Sequence, residues 1–503
     1  MYGILCLFVL CMLAGGNVDA QAVESVDVTI PGLGDVTGMY SEEQVPPVRI
    51  NSFLGIPYAE APVGERRFMP PVARQPWTQR LNATTVRTCL GLSGGSEDCL
   101  YLNIYVPGEF DNARRLPVMI LLPGSSTATA SPSDFQGASL MRDGNAENDV
   151  IVVTVGHRMN VFGYLTSGDD VVPGNMGLKD QAMAIQWVHD HIASFGGDNS
   201  RITLIGQLQG AVSVLSQVLH FPADSRPFQR VAIQSLNLFA KMSDKSAFAI
   251  NFIRFARELG CDGESAEILQ CLQEQTTDDL VSAATAVDIP VPYVDGEFIR
   301  ENRFDALATA DLSGLSVIIG YNSYTANFVF SSFGDISDPV AAFANGTSSS
   351  TRRLITGVVD GCTRIAVANL NIRAGLRRGR IEDEARVTNM RALSDMIMRR
   401  YIPRNATDSD LASAVFQMAE DCFLGAFALE TARAFADDGS STYVYYFDQY
   451  HELMTNPEFG SFNYGSILPY VLGWPVTDPS SSDDERKLSQ SSVAAWKSFA
   501  HTG

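Results

Sequence analysis

The chain has 503 residues, of which 46% are hydrophobic, and its formal net charge is −21. This composition is typical of a globular protein with a sizeable core. Such an acidic chain excludes nucleic acid as a partner, because the phosphates would be repelled, and it suits either plain solubility or a partner with a basic face.

The N-terminal segment has the pattern of a secretion signal. Residues 4–13 form an apolar run that is too short to span a bilayer, and residues 18–20 (VDA) offer small side chains for cleavage before Gln21. Residues 1–20 are therefore predicted to be a signal peptide. Residues 21–503 are predicted to form a single secreted, extracellular domain.

Six cysteines remain after cleavage, and an even number in an oxidising compartment indicates disulfides. Close spacing and, for the last pair, elimination predict the disulfides Cys89–Cys99, Cys261–Cys271 and Cys362–Cys422. Glycosylation sequons stand at Asn82, Asn345 and Asn405. We expect these sequons to lie on the surface.

Short apolar runs alternate along the chain with segments of helical spacing. Strands are predicted at 116–122, 150–155, 201–205, 317–319 and 442–447, and helices at 178–195 and from 212 to 219. This alternation predicts an α/β fold with a mostly parallel sheet flanked by helices. Residues 335–387 show the least pattern and are predicted to form a flexible loop.

Four motifs carry a resemblance to a known family. Residues 97–105 have the sequence EDCLYLNIY, residues 53–59 FLGIPYA, residues 175–181 NMGLKDQ and residues 468–473 LPYVLG. In these motifs the chain resembles the type-B carboxylesterases and cholinesterases over nearly all of its mature length. The resemblance implies an α/β-hydrolase fold and a chain that lacks the family's C-terminal end, so that a membrane anchor in a longer form stays open.

The family's catalytic serine stands on a sharp strand–turn–helix elbow with the sequence G-x-S-x-G. Residues 206–210 of this chain have the sequence GQLQG, so both glycines are kept and Leu208 stands in the serine's place. Leucine has no hydroxyl group and cannot form an acyl intermediate. The resemblance therefore implies that the nucleophile is missing.

The other parts of the family's site are replaced as well. Tyr464 stands where the family has its histidine base, and Thr325 stands where it has the acid. The oxyanion turn, H-G-G-G in the family, is replaced by Pro123, Gly124, Ser125 and Ser126, and Gln209 follows the elbow position. Loss of a triad serine or histidine costs on the order of 10⁶ in kcat. We therefore expect a pseudoenzyme with no cofactor and no metal.

Three functions stay open at this point. The first is protein–protein interaction or adhesion with an unknown extracellular partner, in the manner of the related neuroligins, neurotactins and glutactins, with a homodimer as an option. The second is binding of a hydrophobic small molecule in the vestigial gorge, with Leu208 and Tyr464 at its floor. The third is ester hydrolysis with relocated chemistry at Ser125, Ser126 or Ser213.

Overall fold

The computed structural model describes residues 25–44, 47–91, 94–122, 124, 140–141, 149–236, 245–287, 292–322, 358–359, 362–363, 383–402, 405, 408–448 and 467–503. The predicted signal peptide, residues 1–20, lies outside these ranges. Within them, no helix combines the length and the apolar character that a membrane span requires.

One sheet of 11 strands organises the described chain. Its strands are β1 (Ser25–Ile30), β2 (Gly34–Gln44), β3 (Pro47–Pro57), β4 (Leu81–Asn82), β5 (Tyr101–Pro107), β6 (Leu116–Leu122), β7 (Ile151–Val155), β8 (Gly197–Gln207), β9 (Arg230–Gln234), β10 (Ser316–Asn322) and β11 (Ser441–Phe447). The spatial order is β1-β2-β3-β5-β7-β6-β8-β9-β10-β11, and β4 pairs with β2. The first four pairings along this order are antiparallel, and all pairings from β7 to β11 are parallel. The structure thus confirms a mostly parallel sheet.

Helices cover both faces of this sheet. They are α1 (Asn160–Tyr164), α2 (Met176–His191), α3 (Gln209–His220), α4 (Lys245–Glu258), α5 (Ser265–Glu274), α6 (Thr277–Ala284), α7 (Arg303–Leu307), α8 (Asp383–Tyr401), α9 (Asp408–Glu420), α10 (Ala426–Asp437), α11 (Leu468–Val471), α12 (Trp474–Thr477) and α13 (Asp483–Thr502). A single π-helical turn, Asp421–Gly425, joins α9 to α10.

Both faces of the central strands are buried, which explains their uninterrupted apolar sequence. In β6, Val118, Ile120 and Leu122 pack on one face in a cluster that includes α2, α3 and α10. Met119 and Leu121 pack on the other face in a cluster that includes α11 and α13. The core is therefore continuous across the sheet, and helices close it on each side.

All three expected cysteine pairs are disulfides in the structure, namely Cys89–Cys99, Cys261–Cys271 and Cys362–Cys422. The second of them joins the loop after α4 to α5, and these helices pack with α6 and α1 in a smaller apolar cluster. The third lies in another cluster, with the π-helical turn. The second and third disulfides thus lie among packed helices, and each of the three crosslinks restricts the unfolded chain.

The motif at residues 97–103 holds a helix against the sheet. The carboxylate of Glu97 accepts two hydrogen bonds from the guanidinium of Arg67, at 2.6 and 2.7 Å, and both side chains are buried. Nη1 of Arg67 donates to the carbonyl oxygens of Leu272, Gln273 and Gln275 at 2.9–3.0 Å. These carbonyls lie at the C-terminal end of α5, where helical carbonyls lack partners within the helix. Glu97 therefore fixes the arginine that caps α5.

The element bounds agree with the sequence in the apolar segments and differ where polar residues take part. Strand 116–122 has the predicted bounds, and the predicted strands at 317–319 and 442–447 lie within β10 and β11. The strand predicted at 201–205 is longer, since β8 begins at Gly197, and the predicted helix 178–195 ends at His191. From Ile192 the chain tightens into a 3₁₀ turn, which is common at helix ends.

The loop prediction for residues 335–387 is wrong where the structure describes this range. Helix α8 begins at Asp383 and continues for 19 residues, and the described residues 358–359 and 362–363 are helical as well. From 383 the sequence is DEARVTNMRALSDMIMRRY, which is rich in strong helix formers and begins with two acids that complement the helix dipole. The remaining residues of this range lie outside the described ones.

Candidate functional site

A tight turn at the sheet's carboxyl edge joins β8 to α3, and Leu208 stands at its apex. The backbone of Leu208 has φ 52° and ψ −113°, a combination that L-residues rarely adopt. Its N–H donates to the carbonyl of Gln234 at 3.0 Å, and its carbonyl accepts from the N–H of Val212 at 3.2 Å. The apex is therefore anchored to β9 on one side and begins α3 on the other.

Three glycines let the elbow close against the loop that follows β6. A Cβ atom on Gly206 would lie 2.1 Å from the carbonyl oxygen of Gly210. A Cβ atom on Gly210 would lie 2.4 Å from the carbonyl oxygen of Leu122, and one on Gly124 would lie 1.9 Å from the Gly210 nitrogen. All of these neighbours are backbone atoms, which cannot rotate away. The close approach of the backbone therefore requires glycine at each position.

The backbone N–H that follows the apex is already hydrogen-bonded. The N–H of Gln209 donates to the carbonyl oxygen of Gly124 at 3.0 Å. In an esterase elbow this N–H is one of the donors that stabilise the oxyanion of the tetrahedral intermediate. Here Gly124, a residue of the replaced oxyanion turn, supplies its carbonyl to that donor. In this structure the N–H of Gln209 is therefore hydrogen-bonded within the protein and is not directed at a substrate.

Buried polar side chains stand at the carboxyl ends of β8, β9 and β10. Gln207 and Gln234 lie opposite each other in the β8–β9 register, and both are buried, as are Ser235 after β9 and Asn322 at the end of β10. The amide of Gln234 and the hydroxyl of Ser235 are buried without hydrogen-bond partners. The sequence analysis missed these two residues, and their place at the end of a buried strand is the signal that could have identified them.

The described histidines bond away from the elbow. His501 contacts the carbonyl oxygen of Asp149 at 3.0 Å, and the ring of His220 stacks on Phe298 with centroids 3.8 Å apart. His189 and His191 lie at the exposed or half-buried end of α2. Complete burial lowers the pKa of His157 to about 4, so this ring is neutral at pH 7. None of these contacts places an imidazole next to Leu208.

Several expected site residues cannot be placed in this geometry. Ser125, Ser126, Thr325, Tyr464 and the sequon at Asn345 lie outside the described residues. Among the expected residues that are described, Leu208, Gln209 and Gly124 come together at the elbow. Ser213 is buried on α3, and the sequon residues Asn82 and Asn405 are exposed. Within the described ranges no group of three or more His, Cys, Asp or Glu side chains is arranged to hold a metal ion.

The strain at the apex has a measurable consequence. Leu208→Gly and Leu208→Ala both remove the leucine side chain, so the difference in their stability isolates the backbone. We expect the glycine variant to exceed the alanine variant by about 1–2 kcal/mol in the free energy of unfolding, measured by urea denaturation, because only glycine relaxes at positive φ. In ordinary strands and helices alanine is the more stable of the two. An alanine variant of equal or greater stability would contradict a strained apex.

These features together define the class of the protein. A mostly parallel sheet covered by helices on both faces, with a glycine-flanked elbow between a strand and the next helix, is the architecture of the α/β hydrolases. The model of the carboxylesterase family matches residues 24–503, and the chain belongs to this family.

The chain is similar to individual enzymes of that family over most of its length. It is 31% identical to acetylcholinesterase 1 of Caenorhabditis elegans, in an alignment that covers 90% of this chain and 76% of that protein. It is 28% identical to carboxylesterase 5A of Homo sapiens, with 91% and 78% covered. It is 26% identical to carboxylesterase 1C of Mus musculus, with 98% and 87% covered. These similarities show the family likeness that the sequence motifs carry.

Proposed function

We propose that this protein is a catalytically inactive member of the carboxylesterase family that is secreted and acts by binding another protein. The observation that carries the proposed inactivity is Leu208 at the apex of the elbow. The backbone there has the strained conformation that presents a nucleophile, yet the side chain is a hydrocarbon. No acyl-enzyme can form on it.

The hydrogen bond from Gln209 to Gly124 supports inactivity by a second route. What remains of catalysis after loss of a triad residue comes from the oxyanion hole and from substrate binding. One oxyanion donor contributes a factor of about 10²–10³ to kcat. With its N–H engaged at 3.0 Å, Gln209 makes no such contribution until that bond breaks. The relatives named above bear the names of esterases, so we propose inactivity for this chain as a departure from its family.

The described floor of the elbow does not favour the alternative of a hydrophobic ligand. Gln234, whose carbonyl accepts from the Leu208 N–H, and its neighbour Ser235 have buried polar side chains without hydrogen-bond partners, and an apolar molecule could not supply them. Ser213, offered above as a relocated nucleophile, is buried on α3 and is not presented at the apex. Binding of another protein is therefore the activity that we propose for this chain.

Secretion and glycosylation complete the proposal. Three disulfides in one chain suit an oxidising compartment, where they form and persist. The side chains of Asn82 and Asn405 are exposed, as carriers of glycans must be. Secretion from cells, followed by a mass shift on glycosidase treatment, would test this part independently of the chemistry.

The experiment for inactivity is labelling with a fluorophosphonate probe, together with hydrolysis of p-nitrophenyl butyrate. We expect no labelled serine and no turnover above background for the secreted chain, because Leu208 has no hydroxyl and Gln209 is engaged with Gly124. The Leu208→Ser variant is the matched control, and we expect it to stay at least about 10³-fold below an active esterase in the same assay.

Stoichiometric labelling of the unmodified chain would overturn the proposal, and mapping the labelled serine would identify the nucleophile. Labelling of the Leu208→Ser variant, but not of the unmodified chain, would show that a hydroxyl group at position 208 is enough to restore reaction with the probe. The missing hydroxyl would then be the only defect, and the bond between Gln209 and Gly124 would have to open readily.

A further inference from the structure

Two short disulfide loops are connected through one buried arginine. The first loop is residues 89–99 and the second loop is residues 261–271, each closed by its own disulfide. The guanidinium of Arg67 donates to the carboxylate of Glu97, which stands two residues before the end of the first loop. It also donates to the carbonyl of Leu272, the residue that directly follows the second loop. One side chain therefore contacts both loops, although they are far apart in the sequence.

Further hydrogen bonds hold the end of α5 against the same arginine. The side-chain amide of Gln273 donates to the carbonyl oxygens of Glu65 and Arg67, at 2.9 and 3.2 Å. The hydroxyl of Thr277 donates to the carboxylate of Glu97 at 2.6 Å. Arg67 and Glu97 are 7% and 8% exposed, so both charges depend on partners inside the protein. Movement of the last turn of α5 would therefore deprive a buried guanidinium of its carbonyl partners.

The second disulfide fixes this last turn. Helix α5 has 10 residues, and a helix of this length is only marginally stable without tertiary contacts. A capping box of Glu264 and Glu267 stabilises its N-terminal end. Its C-terminal end is held by Cys271, by Arg67 and by the buried side chain of Leu272. Breaking the S–S bond therefore loosens the turn whose carbonyls Arg67 requires.

The sulfur atoms of the two disulfides have opposite polar surroundings. The side-chain amide of Gln275 donates to Sγ of Cys271 at 3.6 Å and to Sγ of Cys261 at 3.7 Å. Such a donor stabilises the negative charge on a sulfur that leaves as a thiolate, and a better-stabilised thiolate leaves faster. In the first loop, Sγ of Cys89 lies 3.4 Å from the carbonyl oxygen of Cys99, whose partial negative charge disfavours a thiolate. The second disulfide is therefore the more easily reduced of the two.

Access to the sulfur atoms differs in the same direction. Cys271 is partly exposed, whereas Cys89 and Cys99 are 2% and 1% exposed. Arg67 and Glu97 line a cavity together with both of these buried cysteines. Its volume of about 10 Å³ admits one water molecule and no larger reagent. A thiol can therefore reach the first disulfide through this cavity only when a lining side chain such as Arg67 moves.

We propose that the disulfide Cys261–Cys271 is a redox-sensitive switch that controls the reactivity of Cys89–Cys99 through Arg67. An external dithiol loses a proton, and its thiolate attacks Sγ of Cys271. A mixed disulfide forms, the S–S bond of the protein breaks, and Cys261 leaves as a thiolate that takes up a proton. The second thiol of the reagent then displaces Cys271, so the reagent ends as a disulfide and both cysteines end as thiols.

The consequence of this first reduction is a second one. The last turn of α5 loosens, Arg67 loses its carbonyl partners, and the cavity beside Cys89–Cys99 widens. The same thiol–disulfide exchange then proceeds at the first loop. The switch depends neither on the proposed inactivity nor on the proposed binding of a partner, so its failure would leave both of them standing.

The test is the rate at which dithiothreitol reduces each disulfide of the secreted chain. Thiols are trapped with N-ethylmaleimide at intervals and assigned by mass spectrometry of peptides. We expect the reduction of Cys89–Cys99 to show a lag and to follow that of Cys261–Cys271. In the variant Cys261→Ser with Cys271→Ser the lag should vanish, and the initial rate for Cys89–Cys99 should rise at least about 10-fold. Cys362–Cys422, which lies in another apolar cluster, should stay within about 2-fold.

A second pair of variants tests the role of Arg67 without removing a cysteine. Gln273→Ala removes the bonds to the carbonyls of Glu65 and Arg67, and we expect it to raise the initial rate for Cys89–Cys99 about 5-fold. Gln270→Ala is the matched control on α5, because that amide bonds only to the exposed side chain of Glu274, and it should stay within about 2-fold.

Equal initial rates for Cys89–Cys99 in the unmodified chain and in the double cysteine variant would overturn the proposal. Acceleration of Cys362–Cys422 by the same factor would overturn it as well, because the variant would then have lost its whole fold rather than one junction. Equal effects of Gln273→Ala and Gln270→Ala would show that the coupling does not pass through Arg67.

Discussion

Breaking the buried ion pair between Arg158 and Asp180 is expected to lower the free energy of unfolding by about 3–5 kcal/mol, the largest electrostatic effect we predict for this fold. The guanidinium donates to both carboxylate oxygens at 2.8 and 2.7 Å, and the backbone N–H of Arg158 adds a third bond at 3.0 Å. The two side chains are 4% and 0% exposed. Removing one partner leaves the other charge buried and uncompensated.

The neighbours of this pair cannot compensate for its loss. Burial holds His157 neutral at pH 7, and burial together with the negative charge of Asp180 raises the pKa of Tyr58 and Tyr164. All three groups are therefore uncharged at pH 7, and none of them offers Arg158 a negative charge when Asp180 is replaced. The variant Asp180→Asn, which is nearly isosteric, tests the charge alone by urea denaturation monitored at equilibrium.

Two comparisons make this result specific to the buried pair. Replacing both partners, Arg158→Met with Asp180→Leu, should recover at least half of the lost stability, because no charge then remains in the interior. The ion pair between Lys487 and Asp484 is 74% and 96% exposed, and Lys487→Ala should cost less than about 1 kcal/mol. A loss below about 1 kcal/mol for Asp180→Asn would show that water reaches the pair.

The substitution Gly206→Ala is expected to cost more than about 3 kcal/mol, beyond the usual penalty for overpacking a core. Its Cβ atom would lie 2.1 Å from the carbonyl oxygen of Gly210 and 2.8 Å from the nitrogen of Ala211. Both are backbone atoms of the elbow. Because protein interiors are close-packed, there is no free space into which these atoms could move. Relief would require β8 and α3 to separate.

Gly314→Ala is the matched control, because that glycine has φ +73° and no atom within 4 Å of the added Cβ. Its cost should be only the conformational one, about 1 kcal/mol. Urea denaturation of both variants would give the comparison. If Gly206→Ala cost no more than Gly314→Ala, the tight elbow would not exist in solution, and the position of Leu208 would have to be reconsidered.

The sequence predicted the parts of this fold that depend on local pattern. Apolar runs such as 116–122 identify buried strands, because both faces of a central strand are covered. The resemblance of residues 206–210 to the family's G-x-S-x-G motif predicted an elbow with Leu208 at its apex, and the structure has the two glycines in close backbone contact. The polar start of β8 was missed because strand pairing, and not an apolar pattern, extends this strand. The start of α8 was missed because its acidic residues stabilise the helix through the helix dipole and carry no apolar pattern.

The contacts between distant segments could not be predicted from one sequence. The bond between Gln209 and Gly124 joins residues 85 positions apart, and the bond from Arg67 to the Leu272 carbonyl joins residues 205 positions apart. Neither contact can be recognised in the local sequence, because nearly every residue type has the same backbone N–H and carbonyl groups. The sequence thus predicted a missing hydroxyl at the elbow, whereas the engaged N–H beside it required coordinates.

The three glycines at the elbow separate the shape of the turn from the identity of its apex. Backbone contacts among Gly124, Gly206 and Gly210 determine the shape of the turn. The side chain at position 208 therefore does not determine it. During divergence this position could therefore change without refolding the sheet. The same separation makes residue 208 a natural attachment point, where a cysteine could carry a fluorophore that reports on whatever approaches the carboxyl edge.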